Sequence, residues 1–139
     1  MRNTYILIAE DDADDRLLLQ TAFQEIGYDG RLEFVANGEE LLEFLRKNLH
    51  EPAQPGVIIL DLNMPKKGGK EVLSEIRGEL GYKKVPVIVF STTKNEAEVQ
   101  KCYELGADNY FVKPVNYSSL IKFVTDIHSL WISAENTSQ

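Results

Sequence analysis

Four short apolar runs in this 139-residue sequence end on residues that can do chemistry. YILIA (5–9) runs into Glu10, Asp11 and Asp12. VIIL (57–60) runs into Asp61, with Asn63 two positions on. VPVIVF (85–90) runs into Ser91, Thr92 and Thr93, and NYFV (109–112) runs into Lys113 and Pro114. If these runs are parallel strands of one sheet, their carboxyl ends share an edge, and open α/β sheets hold ligands at such an edge. Carboxylates drawn together repel one another, and their pKa values climb unless a positive charge offsets them. A hard cation such as Mg²⁺ does this with one or two carboxylates, waters and a phosphate oxygen. An ammonium pairs with a carboxylate or with an incoming anion. A carboxylate is an accepted nucleophile for phosphorus. Together with a cation, an ammonium and a hydroxyl it makes up a phosphoryl-transfer site, where positioning and charge neutralisation do most of the work.

Each part also has a plainer reading. The acids at 10–12 suit a helix N-terminus. Asp61 could end its strand in a turn, and the hydroxyls at 91–93 could cap the next helix, the preferred reading for Thr92 and Thr93. Lys113, held between an apolar strand and a proline, is the hardest to explain without function. Phe123 and Trp131 read as packing residues, and His50 and His128 as surface residues with no metal-ligand spacing around them. Rival ligand sites are missing. There is no G-x-G-x-x-G and no G-x-x-x-x-G-K-[ST], and acids stand where a flavodoxin-like phosphate loop would need hydroxyls and glycines.

The elements that must position these residues follow from periodicity. Leu17, Leu18, Ala22, Phe23 and Ile26 have helical spacing and predict a helix over 13–26. LEFVA (32–36) predicts a strand, Asn37-Gly38 a turn, and 38–49 a helix with Leu41, Leu42 and Leu45 inward. Residues 50–56, with two prolines and a glycine, predict a loop. VIIL reads as a central parallel strand, apolar on both faces. A helix follows over about 69–80, then the strand 85–90. Asn95 is the expected N-cap of a helix that stops at Gly106. After NYFV, a last helix runs over about 117–131, and 132–139 reads as a polar tail. Alternating strands and helices imply a doubly wound α/β sheet of five parallel strands with five helices.

Bulk properties narrow the function. A chain of this length fits one domain, here 1–139 with its core over about 5–131. A formal net charge of -7 argues against nucleic acid as a direct ligand, which needs clustered Lys and Arg. One cysteine, Cys102, allows no internal disulfide and suits a reducing cytoplasm. No apolar stretch reaches the ~20 residues of a membrane-spanning helix.

At these residues the sequence resembles the response-regulator receiver family of two-component signalling over about residues 5–131. ILIAEDDADDRLLL resembles the first strand with its acidic pair. VIILDLNMPKKGGKEVL resembles the phosphoacceptor strand with its D-x-x-M-P-x-x-x-G motif. VPVIVFST resembles the strand carrying the switch hydroxyl, and GADNYFVKP the last strand with its aromatic and Lys-Pro. The resemblance implies the strand order 2-1-3-4-5, a flavodoxin-like architecture. It implies Asp61 as phosphoacceptor and Asp11, Asp61 and the Asn63 carbonyl as direct Mg²⁺ ligands, with Glu10 acting through water. It implies Ser91 and Lys113 as the groups that hold the phosphoryl oxygens, and Ser91 and Tyr110 as the switch pair. Glu10 stands where many members carry Asp, and Gly68 where an acid is common. The motifs and the spacer GELGYKKVPV look most like single-domain regulators paired with phytochrome-like or hybrid histidine kinases.

The implied function is a phosphorylation-switched signalling module rather than an enzyme. A sensor histidine kinase or histidine phosphotransfer protein would be the donor, and a downstream protein contact the output. A phosphorelay intermediate belongs to the same family. A degenerate receiver is disfavoured because the set Glu10, Asp11, Asp61, Ser91 and Lys113 is intact. A Mg²⁺-dependent phosphohydrolase would place its nucleophilic Asp after the first strand with a second Asp two positions on, a pattern that Glu10-Asp11-Asp12 fits poorly. Two further expectations concern geometry. The Lys113-Pro114 bond is expected to be cis, turning the lysine over the cleft. The last helix carries more apolar positions than one stripe needs, Phe123 among them, so the surface formed by the fourth helix, fifth strand and fifth helix is expected to meet a partner, with a homodimer as one candidate.

Overall fold

The structure is a computed structural model that describes residues 4–63, 68–78, 80, 82 and 84–133. Five parallel strands form one sheet: β1 (Thr4–Ala9), β2 (Leu32–Val35), β3 (Gln54–Asp61), β4 (Val87–Ser91) and β5 (Asn109–Val112). Their spatial order is β2-β1-β3-β4-β5, as the family resemblance implies. Five helices alternate with them: α1 (Ala13–Glu25), α2 (Gly38–Lys47), α3 (Gly69–Arg77), α4 (Glu96–Glu104) and α5 (Tyr117–Ile127). A π-helical turn, His128–Ser133, continues α5. Among the described residues no helix is long and apolar enough to cross a membrane.

Both faces of the sheet are covered, which is why its central strands are apolar without alternation. Leu7, Ala9, Ile58, Leu60, Val87 and Val89 face one layer with α2, α3 and Cys102 of α4. Ile6, Ile8, Val57, Ile59, Ile88 and Phe90 face the other, with α1 and α5. Fully burying each large aliphatic side chain is worth roughly 1.5–3 kcal/mol against exposure. The strand ends are thereby a rigid base for the residues that follow them.

Helix starts are set by side chains that accept from an otherwise unpaired backbone N–H. Asp12 caps α1 through Asp15 N at 3.0 Å. Asn37 caps α2 at 2.9 Å and Asn116 caps α5 at 2.8 Å. Asn95 caps α4 at 3.1 Å, as its position predicts. That helix stops at Gly106, whose φ of 110° is open to glycine at little cost. Gly68 precedes α3 without a side-chain cap.

Several boundaries and faces differ from those predicted. Residues 54–56 are strand, not loop, because Gln54 and Pro55 pair with Thr4 and Tyr5. The register then shifts, so that Val57 pairs with Ile6 and Gly56 takes up the irregularity. β4 begins at Val87 rather than at residue 85. α2 ends at Lys47, and α3 ends at Arg77 against Gly78 instead of reaching residue 80. On α1 the inward residues are Leu19, Ala22 and Phe23, while Leu17 and Leu18 are exposed. Ile132, assigned to the polar tail, is buried in the core. Phe123, expected on an exposed face, is buried as well. Its ring stacks on Phe90 at 4.9 Å and meets Phe111 edge-on at 5.0 Å. The extra apolar width of α5 thus covers the β4–β5 side of the sheet, and only Leu130 beyond its end is strongly exposed.

Candidate functional site

The register of the sheet brings the four reactive strand ends together. Ala9 lies opposite Leu60, Asp61 opposite Phe90, and Ser91 opposite Val112. Lys113 N–H then donates to Ser91 O at 2.8 Å, continuing β5 by one residue. There is no cis peptide bond among the described residues, so Lys113-Pro114 is trans, contrary to expectation. The lysine needs no turn from the proline. The backbone pairing already aims it at the cleft, and its four-carbon stem spans the rest.

Asp61 is almost fully buried. Its Oδ1 accepts from Asn63 N–H at 2.8 Å and its Oδ2 from Lys113 Nζ at 2.8 Å. The same ammonium donates to Glu10 Oε1 at 3.3 Å and lies 3.9 Å from Asp15 Oδ2. It also sits 5.3 Å from the centroid of the Phe90 ring, within cation–π range. Glu10 is buried and held from two sides. Its Oε2 accepts from Asp12 N–H at 3.1 Å, and its backbone carbonyl accepts from Arg16 Nε at 2.7 Å.

Glu10, Asp11 and Asp61 each offer a carboxylate oxygen, and the three oxygens lie within 4.8 Å of one another. An all-oxygen, multiply anionic donor set suits a hard divalent cation and not a soft thiolate-loving one. The fit excludes Asp12, whose Oδ1 is committed to capping α1. Replacing Asp11 with Asn should therefore cost at least about ten-fold in Mg²⁺ affinity, the scale on which ligand-shell changes act. Asp12→Asn should cost far less, since Asn also caps helices well. Equal losses in a Mg²⁺ titration would contradict this register.

The cleft holds more negative than positive charge, and burial sharpens the conflict. Desolvation pushes Glu10 up to about 7 from an ordinary 4.5, opposed by the Asp12 N–H and aided by the charge of Asp61. Asp15 is also raised, again chiefly by desolvation. Lys113 is raised too. Burial alone would lower it, but the hydrogen bond and charge of Asp61, with Glu10, outweigh that. The sign for stability follows. A folded-state carboxyl above its unfolded value binds the extra proton, so the metal-free fold loses stability as pH rises from 4.5 toward 7. A cation that needs Glu10 ionised competes with that proton. The gain in melting temperature from Mg²⁺ should accordingly be larger at about pH 8 than at about pH 5.5. A gain equal at both values, or larger in acid, would contradict this assignment.

Ser91 is fully buried at the end of β4, and its Oγ donates to Asn63 Oδ1 at 3.3 Å. Tyr110 is half-buried on β5, and its hydroxyl donates to Thr93 O at 2.8 Å, tying the ring to the loop that follows Ser91. Six predicted residues, Glu10, Asp11, Asp61, Asn63, Ser91 and Lys113, therefore lie at this sheet edge or in the loops that follow it, and the seventh, Tyr110, lies inside β5 and is tied to it through Thr93. Met64 and Pro65 of the D-x-x-M-P motif lie outside the described residues. The sequence reading missed Asp15, Arg16 as a support of Glu10, and Thr92 as a partner of Asn63. Asp15 follows Asp11 by four residues, helical-neighbour spacing that could have flagged it.

Residues 6–125 match the profile of the response regulator receiver domain family. Response regulator Rcp1 of Synechocystis sp. is 36% identical over 129 residues, which span 91% of this chain and 88% of that protein. Among solved structures, the phosphorylated cyanobacterial phytochrome response regulator RcpA is similar with a TM-score of 0.85 and 34% identity, covering 95% of this chain and 96% of that one. The Mn²⁺-bound form of Rcp1 is similar with a TM-score of 0.79 and 36% identity, covering 93% and 94%.

Proposed function

Because the chain belongs to the response regulator receiver family, we propose that it takes a phosphoryl group onto Asp61 in a Mg²⁺-dependent transfer from a phosphohistidine, and that this changes its contact with a downstream protein. The observation that carries this reading is the buried Asp61 carboxylate, gripped by Lys113 at 2.8 Å beside the Glu10–Asp11 pair. An Asp61 oxygen attacks phosphorus, the P–O bond forms and the P–N bond breaks. The imidazole of the donor keeps the electron pair and takes a proton. Lys113 shifts its donation toward a phosphoryl oxygen, and the Ser91 hydroxyl reaches another. Glu10, Asp11, Asp61 and the Asn63 carbonyl would hold Mg²⁺, which when bound supplies positive charge against the phosphoryl oxygens. Water attack on the acyl phosphate later restores Asp61. Self-catalysed gain and loss of the phosphoryl group is all the chemistry this reading assigns.

The donor is a sensor histidine kinase or a histidine phosphotransfer protein, both of which present phosphohistidine in the ATP-supplied cytoplasm. The acidic charge of the chain disfavours nucleic acid, and the 1–139 unit acts as one receiver. Tyr110 reports the state of the Ser91 loop on the surface beside α4 and β5. Exposed Tyr103 and Val112 make this a face for a protein target or a second copy of the chain, with sedimentation of the two phosphorylation states as its test. The principal experiment uses acetyl phosphate as donor. With Mg²⁺ the intact protein should gain one phosphoryl mass, and with the metal chelated by EDTA it should gain none. Equal incorporation in both would overturn the metal-dependent reading.

A further inference from the structure

We infer that the side chain of Asn63 is a latch that holds the Ser91 hydroxyl in its resting position, so that phosphorylation proceeds by exchange of one hydrogen-bond acceptor for another. This rests on the reading of Asp61 as phosphoacceptor and adds to it a positioning residue for the response. Its Oδ1 is the meeting point of the loop after β4. It accepts from Ser91 Oγ at 3.3 Å, from Thr92 N–H at 3.1 Å and from Thr92 Oγ1 at 3.3 Å. Ser91 Oγ in turn accepts from Thr93 N–H at 3.2 Å, and Thr93 O accepts from the Tyr110 hydroxyl at 2.8 Å. One carboxamide oxygen thus leads through Ser91 and Thr93 to the switch tyrosine.

Chemistry makes the latch competitive. A serine hydroxyl has a single proton to donate. While Asn63 Oδ1 receives it, no phosphoryl oxygen can. Donation to the phosphoryl group therefore requires Ser91 Oγ to leave Asn63, and the loop must adjust with it, since Thr93 N–H is bonded to that hydroxyl and Thr92 to the same carboxamide oxygen. A charged phosphoryl oxygen is the stronger acceptor and wins the exchange. In the unmodified protein the carboxamide wins because nothing else is offered. Asn63 would then set how far the resting equilibrium lies from the active arrangement, independently of the metal ligand its backbone carbonyl would provide. That main-chain oxygen survives any substitution of the side chain.

Asn63 is exposed, so truncating it should not unfold the domain. The test compares wild type, Asn63→Ala, Ser91→Ala and the double variant. The first readout is the amide NMR shifts of Thr92 and Thr93 in the unphosphorylated, metal-free protein. The second is the rate of phosphorylation by acetyl phosphate at saturating Mg²⁺. Asn63→Ala should move the two amides toward their positions in the phosphorylated wild type and speed phosphorylation roughly five-fold, the weight of one net hydrogen bond. In the Ser91→Ala background the same change should have no further effect on rate, because the hydroxyl it releases is gone. Near-isosteric Asn63→Leu should match Asn63→Ala, which guards against a purely steric effect. If Asn63→Ala leaves amides and rate unchanged, or alters the rate equally with and without Ser91, the latch is refuted. If no variant, and not the wild type either, is phosphorylated at all, it is the phosphoacceptor reading that fails; amide shifts that then stay at their wild-type values refute the latch too.

Discussion

Lys113→Ala should slow phosphorylation by about two orders of magnitude or more while Mg²⁺ binding becomes tighter. The two effects have opposite signs, which is what separates a catalytic lysine from a structural one. Removing a positioned donor from a developing oxyanion costs about 10²–10³ in rate. The ammonium has two carboxylates in hand, Asp61 at 2.8 Å and Glu10 at 3.3 Å, and both belong to the proposed cation site. Without it a divalent cation meets less opposing charge, so its affinity rises. Truncating one partner of a buried ion pair typically costs about 3–5 kcal/mol of stability. Here the cost should be smaller, because Glu10 can take up a proton and cation binding replaces the lost charge. Lys113→Arg should not restore the rate. A planar fork cannot follow a single oxygen from carboxylate to phosphoryl as a compact ammonium does. The measurements are single-turnover phosphorylation by acetyl phosphate and a Mg²⁺ titration on the same samples. A wild-type rate in Lys113→Ala, or a loss of rate explained by weaker metal binding, would remove Lys113 from the mechanism.

What could be read from the residues follows the physics of burial. The central strands are covered on both faces, so they appear as unbroken apolar runs, and the residue that ends each run stands out. That is why Glu10, Asp61 and Ser91 stand out in the sequence, whereas Lys113 follows the edge strand β5 and stands out by its place between an apolar run and Pro114. The helix capped by Asn95 was legible because cap chemistry is local. The face of α1 was not. Leu17, Leu18 and Leu19 are consecutive, and periodicity alone cannot decide which of three leucines points inward; the contact with α5 does. Pro55 and Gly56 carry a loop signature, yet they lie in β3 because an irregular pairing with β1 tolerates both. Phe123, readable as a packing residue or as part of a partner face, is ambiguous for a related reason. An apolar stripe wider than usual can mean a partner or a broad core contact, and here Phe90 and Phe111 fill the difference. The hydrogen bonds that Asn63 accepts from Ser91 and Thr92 join residues 28 and 29 positions apart, and no local pattern encodes them. The direction in which Lys113 must point does not fix the isomer of Lys113-Pro114, because the side chain has reach enough for the trans bond.

The central claim is that Asp61, and no other carboxylate in the cleft, receives the phosphoryl group. Four acids lie close to Lys113 or to one another: Glu10, Asp11, Asp15 and Asp61. Glu10 shares with Asp61 near-complete burial and hydrogen bonds to both the lysine and the backbone of its own loop, but its bonds are 3.3 and 3.1 Å long against 2.8 Å for both of Asp61's, and Asp61 alone opens the D-x-x-M-P motif. Neutral alanine at that position removes the nucleophile and one proposed cation ligand together. Asp61→Asn keeps the shape and removes the charge, so it separates loss of chemistry from collapse of the site. Both variants should fold, because deleting a carboxylate also relieves its repulsion with Glu10. The deciding measurement is intact mass after incubation with acetyl phosphate and Mg²⁺, followed by borohydride reduction and peptide mapping of the labelled residue. The wild type should gain one phosphoryl group, with the reduced product mapped to Asp61, and Asp61→Ala and Asp61→Asn should gain none. A single phosphoryl mass retained in Asp61→Ala, or a label mapped to Glu10, Asp11 or Asp15 in the wild type, would contradict the account.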